Sequence, residues 1–151
     1  MKNIMGTKND PILAFLRIVL GVVFFAHGAQ KMLGWFGGYG YTGTMGYFAS
    51  LGIPSIFGMM AICAEFFGGL GLIVGFLSRI AALSIIVDMF VAIALVHKPN
   101  GLFMNWGLAA TGGVAAGEGY EFHLLAIAIG VLVLARGAGA FSVDGAVVGS
   151  T

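Results

Sequence analysis

Long stretches of this chain carry almost no charge. From Ile12 to Leu33 the polar ionisable side chains are Arg17, His27 and Lys31, and from Ile56 to Leu77 Glu65 is followed by no other charged residue. A helix crosses the hydrocarbon core of a bilayer with about 20 mostly apolar residues, and both stretches are long enough. Over the whole sequence 60% of residues are hydrophobic and 9% are charged, against about 25% charged in an ordinary soluble domain. So few charges cannot cover a water-facing surface. The chain is therefore read as an integral membrane protein with lipid against its apolar surface. Its 151 residues have room for one compact unit, expected as a single membrane domain over residues 1–151. A net charge of +1 and the lack of any Lys/Arg cluster exclude a nucleic-acid surface.

Four apolar segments are expected to cross as helices: about 12–33, 56–77, 80–96 and 119–136. The fold class that follows is all-α, a polytopic four-helix membrane bundle. The first segment resembles a secretory leader, with Lys2 and Lys8 ahead of an apolar core. Arg17 interrupts that core, however, and the apolar run continues well past it, so it is read as a span. "FLSRI", residues 76–80, is a very short connection and makes the second and third helices an antiparallel hairpin. The connections over 34–55 and 97–118 are longer, rich in Gly, aromatic residues and Asn, with Pro54 and Pro99 marking turns. Residues 105–117, "NWGLAATGGVAAG", fit either an extension of the fourth helix or a re-entrant hairpin. "GLIVG", residues 71–75, has the spacing that lets helices approach closely, but among 26 glycines such a match carries little weight.

With four spans, both termini and the link at residues 77–79 share one side. Lys2, Lys8, Arg17, Arg79 and Arg136 lie toward that side, and Lys31 and Lys98 toward the other. The excess of basic residues makes the first side cytoplasmic, so both termini are expected in the cytoplasm and the two long loops outside. Trp35 and Trp106 suit interface anchors.

Against this topology the polar residues acquire depths. At about 1.5 Å per residue, His27 lies roughly 9 Å inside the outer end of its helix and Glu65 roughly 14 Å inside, near the midplane. His97, Glu121 and His123 gather at the outer ends of the third and fourth helices, and Asp88 lies deeper. An acid at the bilayer centre costs about 2.5–3.5 kcal/mol on insertion scales, so Glu65 and Asp88 should face the bundle interior, protonated or paired. Arg17, His27 and Lys31 fall within about 80° of one helix face, a polar seam that offers Glu65 a cationic partner. Asp88 and His97, nine positions apart, point about 180° from each other on an ideal helix. They cannot share a site unless the helix unwinds near Pro99. Glu121 and His123 diverge in the same way.

Plainer readings exist. Arg17 and Lys31 can snorkel to the two interfaces, His97 and His123 can be ordinary helix-end residues, and Asp88 can pair with Arg79 or a backbone group. Cys63 is the one cysteine and reads as a small buried hydrophobe. The chain therefore has no dithiol of its own, and any redox chemistry must come from a cofactor or a partner. Glu65 and His27, well inside the bilayer on different helices, are hardest to explain structurally.

Together "RIVLGVVFFAHGAQKMLGWFGG", "FASLGIP", "AEFFGGLGLIVGFLSRIAAL", "VAIALVH" and "GYEFHLLAIAIGVLVLARGAGAFSVD" resemble the DoxX family of small bacterial four-helix membrane proteins, over about residues 11–145. The order "HGxxK", "AEFxGG", "GYE" carries the likeness. The motif positions are Arg17, His27, Gly28 and Lys31, then Glu65, Gly68 and Gly69, with His97 and Glu121 at the outer helix ends. The resemblance implies the bacterial cytoplasmic (inner) membrane and a link to quinone and sulfur redox chemistry, since some members resemble subunits of a thiosulfate:quinone oxidoreductase and others are associated with membrane complexes that handle thiol oxidative stress.

The function expected is thus a subunit of a membrane redox complex. Glu65 and His27 would be its catalytic residues, and His27, Lys31, Arg17, His97 and Glu121 would line a quinone or small-molecule pocket open to the outer face. A quinone takes up electrons and protons together, which calls for a His or Lys at a carbonyl and a buried carboxylate to relay protons. The alternative is a non-catalytic anchor or assembly partner for a soluble or periplasmic oxidoreductase, with "GWFGGYGYTGT" as docking surface. A small transporter using Glu65 and Asp88 ranks third and haem bound between histidines last. No metal site is assigned. The partners considered are the bilayer, a redox protein and a second copy of the chain.

Overall fold

A computed structural model describes residues 2–104 and 117–149, and the described residues are helical with no strand among them. Three helices are long and apolar enough to cross a membrane: α1 (Pro11–Leu33), α3 (Ser55–Val74) and α4 (Ser78–Asn100). The 11-residue α2 (Gly40–Ser50) precedes α3. The 16-residue α5 (Glu121–Arg136) and the short α6 (Val143–Val148) follow α4.

The ends of α1 are written locally. Asp10 Oδ1 accepts from the backbone N–H groups of Ile12 (2.9 Å) and Leu13 (3.0 Å), and Pro11 takes the first turn, where its missing N–H costs nothing. The helix stops where Gly34 turns left-handed at φ 74°, a conformation that favours glycine. The start of α4 is not local. Leu77 holds a left-handed φ of 48°, and the carboxylate of Asp144, 67 residues away, accepts from Leu77 N (2.8 Å) and Ser78 N (2.9 Å). The carboxylate of a remote aspartate thus does the capping that the N-cap residue, Leu77, cannot do with its own side chain.

α1 and α3 approach backbone to backbone. A methyl group on Gly28 would strike the backbone at Glu65 and Phe66, and one on Gly69 would strike the backbone at Phe24 and Phe25. Small residues permit this closeness in lipid, where packing rather than water release joins helices. Gly75 of "GLIVG" instead closes α3, with a φ of 71°. α4 packs on α3 and α5, and Leu13, Leu20, Phe24, Leu72, Ile85, Met89, Ala126 and Val133 form a shared apolar core. The long connection over 34–55 holds α2 rather than only turns. The expectations for residues 105–116, with Trp106, lie outside the described residues.

Polar groups brace one end. Arg17 is 0% exposed, and its guanidinium donates to the carbonyls of Leu72, Ile73 (3.0 Å), Ala138 (2.6 Å), Ala140 (3.3 Å) and Phe141 (3.2 Å). It thereby ties α1 to the end of α3 and to the turn between α5 and α6. Arg79 donates to the carbonyls of Leu134, Ala135 (3.1 Å) and Gly6 (3.0 Å), satisfying carbonyls that the end of α5 leaves open. Asp88 is therefore not the partner of Arg79. Gly139 N donates to Thr7 Oγ1 at 2.6 Å and Ala140 N to Asp10 O at 3.0 Å, so the N- and C-terminal segments meet at this end.

Replacing Arg17 strands several buried carbonyls, each costing about 1–3 kcal/mol when left unpaired. Arg17→Met should lose more than about 3 kcal/mol of stability, and Arg17→Lys, with three donors instead of five, should fall between it and the wild type. Thermal unfolding in detergent measures the order.

Candidate functional site

The opposite end of α1 meets a different polar group. Residues 64–68 of α3 form a π-turn that contains Glu65. Such one-turn bulges often mark functional sites because they re-aim the side chains they carry. Glu65 is 5% exposed, and both its carboxylate oxygens accept from Lys31 Nζ in the last turn of α1. The cationic partner expected for Glu65 is thus Lys31. Rather than reaching for an interface, Lys31 folds inward and is half-buried. α2 sits on the same turn, with Thr44 Oγ1 donating to Lys31 O at 3.3 Å.

Asp88 of α4 lies beside this pair. It is close enough to Glu65 for their carboxyls to share a hydrogen bond, and it lies within electrostatic reach of Lys31. Two carboxyls facing one ammonium leave a negative charge uncompensated unless a proton is held between them.

A second π-turn, over residues 93–97, lies between Asp88 and His97. It places one extra residue in a turn, equal to about 100° of α-helical rotation. The two side chains, opposed on an ideal helix, are thereby brought to within about 80° of one another. Sharing a site required a break in the regular helix near Pro99, and this π-turn supplies one a turn before the proline. His97 stands against His123 of α5, ring centroids 4.1 Å apart. His97 Nδ1 lies 2.9 Å from the carbonyl of Glu118, a contact that makes Nδ1 the protonated nitrogen.

His27 lies one turn before Lys31 on α1. It is exposed rather than inward-facing, because Gly28, its neighbour, takes the close contact with α3 and turns His27 off that line. Its ring centroid lies 6.1 Å from that of Phe122, which in turn is 6.1 Å from Phe24 and 5.6 Å from His123. His27 also reaches His123 electrostatically.

The structure thus gathers Lys31, Glu65, Asp88, His97 and His123, with His27 on their open side. Two of the residues expected in the pocket are engaged by backbone groups. Arg17 lies 14 positions before Lys31 on α1, about 21 Å along the helix, with its donors occupied by carbonyls. Glu121 accepts from Met104 N at 3.1 Å, while the backbone N–H groups of Tyr120 and Glu121 donate to Gly101 O (3.2 Å) and Leu102 O (3.0 Å). It fastens two chain segments together. Asp88 and His123 join the cluster although the pocket expected from sequence does not include them. For His123 the sequence does carry a signal: it shares the buried face of α5 with Ala126, Gly130 and Val133, a 3-4-3 spacing that marks one helical stripe.

These features define a helical membrane protein with a polar cluster enclosed among its helices. The chain belongs to the DoxX family, whose model matches residues 12–98. It is 31% identical to the Inner membrane protein YqjF of Escherichia coli (strain K12) over 145 residues, covering 93% of this chain and 95% of that protein. It is also 31% identical over 81 residues to a Bacillus subtilis (strain 168) protein named "Putative oxidoreductase CatD", covering 54% of this chain and 56% of that protein. No solved structure matches it.

If the ion pair holds α1 to α3, Lys31→Met should cost about 3 kcal/mol, because Glu65 is left buried without its cation. The double variant Lys31→Met/Glu65→Leu should recover most of that loss. A double-mutant cycle by thermal unfolding in detergent measures the coupling.

Proposed function

We propose that this DoxX-family protein is a membrane subunit of a redox complex that binds a quinone, or a small molecule of like chemistry, at the Lys31–Glu65 cluster. The observation that carries this reading is the buried ion pair on a π-turn, with a second carboxyl and two contacting histidines around it. A merely structural pair needs no third ionisable group. In this reading residues 1–151 form one inner-membrane domain that crosses four times, α5 being the fourth crossing. Both termini are cytoplasmic and the cluster opens to the outer face. The meeting of the terminal segments at the end that holds Arg17 and Arg79 supports that arrangement, as does the name of the Escherichia coli relative. The name of the Bacillus subtilis relative supports the redox link.

Quinone reduction takes up two electrons and two protons. In this chain Glu65, with Asp88, holds and passes a proton, and Lys31 fixes the charge of that pair. His27 on the open side is placed to hydrogen-bond an entering carbonyl, and His97 connects the cluster to the outer helix ends. Arg17 and Glu121 are left out of the site, since backbone groups already engage them. The electrons come from a partner protein, because a chain with Cys63 as its one cysteine has no dithiol to supply them. The anchor reading has one observation in its favour: Trp35, Phe36 and Tyr39 between α1 and α2, and Tyr41 in the first turn of α2, are all exposed. An anchor, however, gives Glu65 and Asp88 nothing to do.

Protein purified in native lipid should carry quinone that chromatography of its lipid extract detects. Glu65→Gln and His27→Ala should each lower the retained quinone about 10-fold, the equivalent of one hydrogen bond to a charged group. Absence of quinone from the wild type, or unchanged retention and partner-dependent reduction in both folded variants, would overturn the reading.

A further inference from the structure

Among the described residues three buried side-chain atoms lack a hydrogen-bond partner: Ser78 Oγ, Arg79 Nε and His123 Nδ1. The first two belong to the braced end, where Arg79 already bonds three carbonyls through its other nitrogens. His123 is different. It is 4% exposed and stands inside the polar cluster, where a buried polar atom is costly to leave without a partner.

What surrounds it narrows the missing partner. His97 from α4 and Lys31 and His27 from α1 act on His123 electrostatically, and all three are basic. Basic groups around a site favour a ligand atom that carries negative partial charge, and an Nδ1 that holds the ring's proton can donate to such an oxygen. The flanking surface is aromatic. Phe122 presents its ring to His123 nearly edge-on, at an interplanar angle of 81°, and lies between Phe24 and His27. An acceptor oxygen beside aromatic rings suits a planar conjugated ligand with a carbonyl on its ring, not a small hydrated anion.

We infer that His123 is the residue that hydrogen-bonds a ring carbonyl of the bound quinone, with Phe122 as the surface against which the ring lies. This rests on the quinone reading above and adds to it the two residues that recognise the headgroup.

The test uses the full chain in lipid nanodiscs stripped of quinone, titrated with carbonyl-¹³C menadione. Wild-type protein should bind it saturably, with one carbonyl stretching band moved to lower frequency by the hydrogen bond. His123→Ala should weaken binding about 10-fold and abolish the band shift, and His123→Gln, which keeps an N–H donor, should restore part of both. Because a variant at a buried position can misfold, the wild type labelled with ¹⁵N-histidine gives an independent reading: the His123 Nδ1 resonance should move when menadione binds. If menadione does not bind the wild type, the quinone reading falls and this inference with it. If it binds while the Nδ1 resonance stays in place, or while folded His123→Ala keeps both affinity and band shift, the assignment of His123 is overturned and the quinone reading stands.

Discussion

The contact between Lys31 and Glu65 is the constraint on which the rest of this structure turns. A carboxylate near the middle of an apolar helix is costly in hydrocarbon, and its cost falls only when a cation and other polar groups enclose it. Lys31 can reach it because Gly28 and Gly69 let α1 and α3 touch along their backbones. A bulkier residue at either position would separate the helices and with them the two charges. Close packing and charge pairing are therefore one arrangement, and the loop carrying α2 is fastened to the same turn of α1 through Thr44.

The two ends of α1 solve the same problem with different chemistry. At one end Arg17 is enclosed by carbonyl oxygens, a neutral cage with Asp144 supplying an opposing charge at longer range. Every donor direction is used, and the result is a brace. At the other end carboxyls, an ammonium and imidazoles face one another, groups that gain and lose protons. The two π-turns belong to this second end alone, one carrying Glu65 and one bringing His97 round toward Asp88. Irregular helix is found where side chains had to be re-aimed, and regular helix where they only pack.

Much of this is legible in the sequence. The apolar runs dictate an all-helical membrane fold, the first span is bounded close to its true limits, and the shared face of Arg17, His27 and Lys31 offers Glu65 a cation. What is not legible depends on residues distant in the chain. Arg17 reads as a site residue or a snorkelling one because the carbonyls that enclose it come from residues 72–73 and 138–141. The start of α4 is capped by Asp144, which no local pattern announces. α2 reads as loop because a stretch rich in Gly and aromatic residues lacks an apolar run of spanning length. Depth alone puts His27 inside, whereas its rotation about the helix, set by the Gly28 contact, leaves it on the open side. His123 is the reverse case, a polar residue on a stripe of small apolar ones whose spacing places it inside.

The central claim is that Lys31 and Glu65 pair across α1 and α3 while the protein is in its bilayer. Solid-state NMR of the chain in lipid, with ¹⁵N at the lysine ammonium and ¹³C at the glutamate carboxyl, measures this directly by dipolar recoupling. The account predicts a strong coupling, lost in Lys31→Met, that corresponds to ion-pair contact within about 4 Å. A carboxyl signal from Glu65 with no such coupling would contradict it.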